Sequence, residues 1–216
     1  MAHWVIFGAT KGIGLALANI GIQQGHQVTA LVRQQTDAER LTAEGIQAFI
    51  GDATDPSSLE AIFAHMTPDT VIFTTIGGGQ ADFVGNYHII RQAEQHQIHR
   101  LLFVTSIGCG DSWSTLSPRA KALFGQSVRQ KSMAESYLQT SEINYTILRP
   151  GGLMNSAATG NATLLTGEAH GVVSREDVAR ILAKLAEDKS SYRQVYAVID
   201  PDLKPHWGWC DDIEPS

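Results

Sequence analysis

Three glycines fall within seven residues, Gly8-Ala9-Thr10-Lys11-Gly12-Ile13-Gly14. They sit behind the apolar run Trp4-Val5-Ile6-Phe7 and ahead of an amphipathic stretch from Ile13 to Gln24. The order is strand, glycine turn, helix. A helix opening on such a turn gathers unsatisfied backbone N–H groups and the positive end of its dipole at one point, where a diphosphate binds. Glycine is needed where a side chain would block the phosphates, or where the helix must pack close to the strand. The spacing G-x-x-x-G-x-G departs from the G-x-G-x-x-G fingerprint of many dinucleotide sites. Turns also collect glycine for structural reasons, so the flanking strand and helix carry the inference. Thr10, Lys11 and Ile13 belong to the same loop and join the three glycines as candidate cofactor contacts.

The remaining candidates all close or follow apolar segments: Arg33 after Val28–Val32, Asp52 and Ala53 after Ile46–Ile50, and Thr75, Ile76 and Gly77 at the end of Val71–Thr75. Thr105 and Ser106 lie at the end of Leu101–Thr105, and Pro150, Gly151 and Gly152 follow Tyr145–Leu148. Helix-like stretches lie between: about Thr36–Glu44, one opened by Asp55-Pro56, one from Asp82 to Gln97, and one from Ser117-Pro118 to Thr140 that Gly125 divides. Asp or Ser followed by Pro is a strong helix start, a capping side chain and then a preset φ. Strand and helix alternate, which predicts an α/β fold, a doubly wound parallel sheet in a single domain. In such sheets ligands bind beyond the carboxyl ends of the strands, where strand order reverses. Residues far apart in sequence are thereby expected in one cleft.

Beyond Gly152 the alternation weakens. Residues 153–165 read as a loop, Ser174-Arg175-Glu176-Asp177 as a capped helix start with Val178, Ile181, Leu182 and Leu185 inward, and Val195–Ile199 as a last strand. The expected organisation is a dinucleotide-binding domain over 1–200, its 153–200 portion shaping a substrate pocket, and a tail over 201–216 carrying Trp207 and Trp209.

Arg33 bears on cofactor choice. An acidic residue at the end of the second strand accepts hydrogen bonds from an adenosine ribose, whereas an arginine pairs with a 2′-phosphate. Arg33 stands nineteen residues after Gly14, and Lys11 adds charge nearby. The expected cofactor is therefore NADP rather than NAD; a solvated arginine at a strand end is the plainer alternative. Asp52 is either a partner of the adenine amino group or a turn aspartate. Ser106 puts a hydroxyl where a nicotinamide ring would lie. Lys131 is either a bridge to the nicotinamide ribose or a helix-surface lysine. A Tyr-x-x-x-Lys motif is absent: Ser127 stands four residues before Lys131, and Tyr87, Tyr137 and Tyr145 have no lysine four residues on. Without a phenolic proton donor, ordinary alcohol–ketone and sugar-nucleotide epimerase chemistry is disfavoured.

The bulk properties narrow the partners. The chain has 216 residues, 43% of them apolar, and a formal charge of −6. This is enough for one well-cored domain, and the acidic balance argues against nucleic acid and anionic membranes. No apolar run is long enough for a bilayer, and no signal peptide precedes the first strand. Cys109 and Cys210 form no motif and the eight histidines are scattered, so no metal is expected and the compartment is expected to be cytoplasmic. His96 and His99 read as structural. Monomer and homodimer fit equally. Hydrolase and kinase readings fail for want of G-x-S-x-G and G-x-x-x-x-G-K-[ST] motifs.

Gly-Ala-Thr-x-Gly-x-Gly, Leu-Val-Arg, Gly-Asp-Ala, Thr-Ser and Arg-Pro-Gly-Gly occur in order between about Trp4 and Pro201. Together they resemble the atypical, NmrA-like branch of the short-chain dehydrogenase/reductase superfamily, and within it the NADPH-dependent biliverdin-IXβ/flavin reductase family. The resemblance implies a Rossmann fold. It implies hydride transfer from NADPH to a planar conjugated acceptor, a flavin, bilin or quinone-like molecule, which takes its proton from solvent. Ser106 and Lys131 become the catalytic candidates, and Arg149-Pro150-Gly151-Gly152 resembles the turn that holds the nicotinamide amide through backbone groups. The alternative it also allows is an NADP(H)-binding redox sensor of the NmrA type without turnover.

Overall fold

In β1 (His3–Phe7), Trp4 and Ile6 pack into one hydrophobic layer and Val5 and Phe7 into another, all four buried. A strand apolar on both faces needs cover on both, as central strands of parallel sheets do. The computed structural model describes residues 1–167 and 169–204. Next to β1 lie β2 (Gln27–Val32) and then β3 (Gln47–Ile50) on one side. On the other come β4 (Val71–Thr74), β5 (Arg100–Val104), β6 (Asn144–Pro150) and β10 (Gln194–Ile199), all parallel. A short antiparallel edge strand, β8 (Thr163–Leu165), pairs with β10. The order reverses between β1 and β4, which is the switch point of a doubly wound Rossmann sheet.

One face carries α1 (Gly12–Gln23), α2 (Gln35–Ala43) and α6 (Arg175–Leu185). The other carries α3 (Pro56–Phe63), α4 (Val84–Gln95) and α5 (Pro118–Gln139). Helix starts follow the expected chemistry. Asp55 accepts from Ser57 N–H and Ser117 from Ala120 N–H, each with proline at the first helical position. Ser174 Oγ accepts from Asp177 N–H at 2.9 Å. At the other end of α6, Arg100 reaches from β5 to Leu185 O at 2.6 Å and Ala186 O at 3.2 Å. A cation on the last carbonyls offsets the negative end of the helix dipole. Burial lowers the Arg100 pKa to about 10, so it stays charged at neutral pH. The rod thus pinned presents Arg175 at its other end.

Three expectations change. Residues 153–165 are not simply a loop: β7 (Gly152–Met154) pairs with β9 (Val172–Ser174) in a second small sheet, and β8 closes the main one. Three-residue strands are too short to show a period. Gly125 does not divide α5, which runs unbroken over it; the ring of Trp113 lies where a side chain would project. The helix expected from Asp82 begins with a separate 3-10 turn, Gly79–Asp82, because buried Asn86 bonds the carbonyls of Ala81 and Asp82 and holds that turn apart. His96 bonds its own helix at Gln92 O, a structural role. Trp207 and Trp209 lie outside the described residues. No helix among the described residues is long and apolar enough to cross a membrane.

Candidate functional site

A cleft of about 310 Å³ opens over the carboxyl ends of β1 to β4. From the first loop, Gly8, Thr10, Lys11, Gly12 and Ile13 line it. Arg33 enters from β2, Asp52 and Ala53 from β3, and Thr75, Ile76 and Gly77 from β4. Eleven dispersed sequence candidates are thereby brought together at the switch point.

The glycine loop is shaped by what it excludes. Gly8 has φ +98°, and a Cβ there would stand 2.6 Å from Thr75 Oγ1. A Cβ on Gly14 would stand 2.1 Å from Gly8 O. Gly14 therefore does not line the cleft; it lets α1 sit directly on β1. Lys11, at the helix start, makes no side-chain cap, and the first turn of α1 holds no acidic residue. Its N–H groups are thus left to an anion rather than a carboxylate. Two side chains brace the loop. Thr75 Oγ1 donates to Phe7 O at 3.1 Å, and Arg40 Nη2 donates to Thr10 O at 3.0 Å. Arg40 gave no sequence signal, because its partner is a backbone carbonyl thirty residues away.

Asp52 Oδ1 accepts from both the N–H (2.9 Å) and the hydroxyl (2.8 Å) of Thr54. These bonds, helped by Arg33, hold its carboxyl below the usual range. It is a turn aspartate that also lines the cleft. Arg33 is exposed at the rim.

The other candidates, Thr105, Ser106, Lys131 and Pro150 to Gly152, do not line this cleft, and around them side chains hold one another. Lys131 Nζ donates to Ile76 O and pairs with Asp82 Oδ1, both at 3.1 Å. It is largely buried against the loop after β4 and is no surface lysine. Asp82, 1% exposed, also accepts from Gly78 N–H at 3.0 Å and from Ser127 Oγ at 2.7 Å. Ser127, standing where a tyrosine would complete Tyr-x-x-x-Lys, has its hydroxyl on this carboxylate. Tyr87, Tyr137 and Tyr145 do not line the cleft.

Thr105 Oγ1 donates to Glu135 Oε1 at 2.6 Å. Glu135, also buried, receives Arg149 through Nε at 3.1 Å and Nη2 at 2.7 Å. Asp111 takes the third arm of that guanidinium. Burial opposes the charge of Arg149, but Glu135 and Asp111 outweigh it and raise its pKa. Arg149 lowers that of Asp111. Glu135, Asp111 and Asp82 were not foreseen as site residues.

Ser106 Oγ donates to Ile107 O at 2.9 Å. The Pro150 carbonyl accepts from Ile107 N–H, Gly151 N–H donates to Val198 O, and Gly152 N–H donates to Gly171 O. A Cβ on Gly151 would stand 2.3 Å from Gly171 O. The N–H groups of Gly151 and Gly152 are therefore spent on tying the turn to β10 and to the residue before β9. Cys109 is buried and its thiol pKa is pushed up to about 12, an inert filler.

Comparison with known proteins agrees with this geometry. Residues 8–189 match the family model described as NAD(P)H-binding. The chain is 45% identical to ChuY, an anaerobillin reductase from Escherichia coli O157:H7, over 94% of this chain and all of that one, with a TM-score of 0.91. Sanguinarine reductase of Eschscholzia californica is 26% identical over 74% of each chain. An uncharacterized sugar epimerase of Bacillus subtilis, YhfK, is 27% identical over 91% of this chain and 94% of its own. The chain belongs to the NAD(P)H-binding family, as an atypical member of the short-chain dehydrogenase/reductase type.

Proposed function

We propose that the protein is an NADPH-dependent reductase of planar conjugated acceptors, of the flavin, bilin or quinone-like kind. The observation that carries this reading is Arg33 at the end of β2, on the rim of a glycine-walled cleft at the switch point. The cleft fits a dinucleotide: Gly8 and Gly12, both at positive φ, line it with backbone, and the start of α1 has no carboxylate of its own.

In this reading the backbone of Gly8 to Ile13 takes the diphosphate. Arg33 takes the 2′-phosphate, with Lys11 adding charge. Asp52 and Ala53 meet the adenine, and Thr75, Ile76 and Gly77 border the riboses. Thr105, Ser106, Lys131 and the Pro150–Gly152 turn border the nicotinamide end. The nicotinamide supplies a hydride when bound.

The protein's part is to bind, orient and exclude water. Lys131 meets the ribose hydroxyls in this reading, which its hold by Asp82 beside Ile76 supports. Ser106 orients the acceptor or relays a proton once its hydroxyl turns from Ile107 O. With Ser127 committed to Asp82, the side chain at the motif's tyrosine position does not stand in for the superfamily's usual acid. An acceptor that spreads the incoming charge over a conjugated system needs none, because its proton comes from solvent. The reductases among the similar proteins support this reading over an epimerase.

The test is NADPH oxidation against FMN, riboflavin, biliverdin and quinones. Turnover with any of them is expected. Tight NADPH binding with no oxidation across the panel would sink the enzyme reading and leave a redox sensor.

A further inference from the structure

Arg175 is a cation of the cleft for which the sequence gave no functional signal beyond a helix start. It is the first residue of α6 and lines the same cleft as Arg33. Its Cδ lies 3.3 Å and its Nε 3.6 Å from where a Cβ on Gly12 would stand. The side chain thus lies against the glycine loop, at the first residue of α1. Its Nη1 donates to Leu153 O at 3.0 Å and to Asn155 Oδ1 at 2.7 Å. Both acceptors are neutral, and the adjacent carboxylate of Glu176 is taken by Arg180 at 2.6 Å. A guanidinium and the positive end of a helix, packed side by side, repel unless an anion lies between them. Lys11 adds to that repulsion. Nothing in the packing of α6 demands a cation here, since its start is already capped by Ser174, which accepts from Asp177 N–H.

We propose that Arg175 is the diphosphate clamp of the nucleotide site, closing over the glycine loop from the carboxyl-terminal part of the chain. The proposal rests on the cofactor reading above. It divides the work between two arginines: Arg33 meets the group that distinguishes NADPH from NADH, and Arg175 meets the group they share. A planar fork suits phosphate oxygens, and Nη1 stays on Leu153 and Asn155. Diphosphate binding thereby also braces the 153–155 segment beside the cleft.

The test is fluorescence titration of Arg175→Gln and Arg175→Lys with NADPH and with NADH, alongside the nucleotide-induced rise in Tm. Arg175→Gln is expected to weaken both nucleotides by the same factor, about tenfold or more, leaving their affinity ratio unchanged. Arg175→Lys keeps the stem against Gly12 and the charge but loses the fork, and is expected to weaken both by a smaller common factor. It carries the same test should the glutamine variant fail to fold. Unweakened binding of both nucleotides by the variants overturns the proposal. So does a loss confined to NADPH, which would assign Arg175 to the 2′-phosphate. A wild-type chain that binds neither nucleotide overturns the cofactor reading itself, and this proposal with it.

Discussion

Around Gly8 the cleft wall is mostly backbone, with glycines along it; around Arg149, outside that cleft, charges hold one another. Gly8, Gly12 and Gly14 act by lacking side chains. Arg149, Glu135, Asp111 and Thr105 act through side chains brought together from β5, β6, α5 and the turn after β5. The backbone half is suited to a ligand part that never varies, a diphosphate. The charged half satisfies itself internally; beside it Lys131 is held by buried Asp82, and Ser106 by the carbonyl of Ile107.

Perturbing each half should separate them. The largest loss is expected at Glu135→Leu, which leaves the Arg149 guanidinium with only the exposed Asp111; breaking such a buried pair costs about 3–5 kcal/mol in urea unfolding. The double change Glu135→Leu with Arg149→Met should recover most of it, because the uncompensated charge goes too. A single-variant loss as small as that of a surface pair would mean that the charged half is not held by its charges. Gly14→Ala comes next, at about 2–3 kcal/mol, since its Cβ meets a backbone oxygen that can give way only by parting α1 from β1. Gly25→Ala, with φ +78° and open space around it, serves as control at about 1 kcal/mol. Equal losses at both glycines would remove close packing as the reason for Gly14.

Arg33→Ala should leave stability alone and weaken NADPH about tenfold or more, with NADH nearly unchanged. Equal weakening would show that Arg33 is no 2′-phosphate partner. The smallest effect concerns acid. Burial works against the charge of Asp177, but the N–H groups of Thr159 and Gly160 and the Ser174 hydroxyl outweigh it and lower its pKa. A lowered carboxyl contributes stability fully above its unfolded value near pH 4, and loses it as pH falls through the folded value. Asp177→Asn should therefore flatten the acid limb of stability against pH and change little of its slope near neutrality. An unchanged acid limb would contradict that assignment.

The backbone half was readable in the sequence because its geometry demands residue types: a positive φ or a close approach writes glycine, and a helix start writes Asp-Pro or Ser-Pro. The β2 arginine was readable because its distance from the loop is set by one helix and one strand. The charged half was not. Asp82 and Ser127 are forty-five residues apart, and Arg100 meets Leu185 across eighty-five; nothing local marks either pair. Pro150-Gly151-Gly152 was visible as a turn, but its glycine N–H groups serve β10 and the residue before β9, which only the three-dimensional pairing reveals. Arg175 passed as an ordinary first-turn residue because its contact with Gly12 depends on how α6 lies beside α1.

Calorimetric titration of the wild-type chain with NADPH and with NADH tests the central claim most directly. The account predicts one site per chain and NADPH bound at least about tenfold more tightly, the worth of one charge-assisted phosphate contact. Equal affinity, or no binding of either nucleotide, would contradict it.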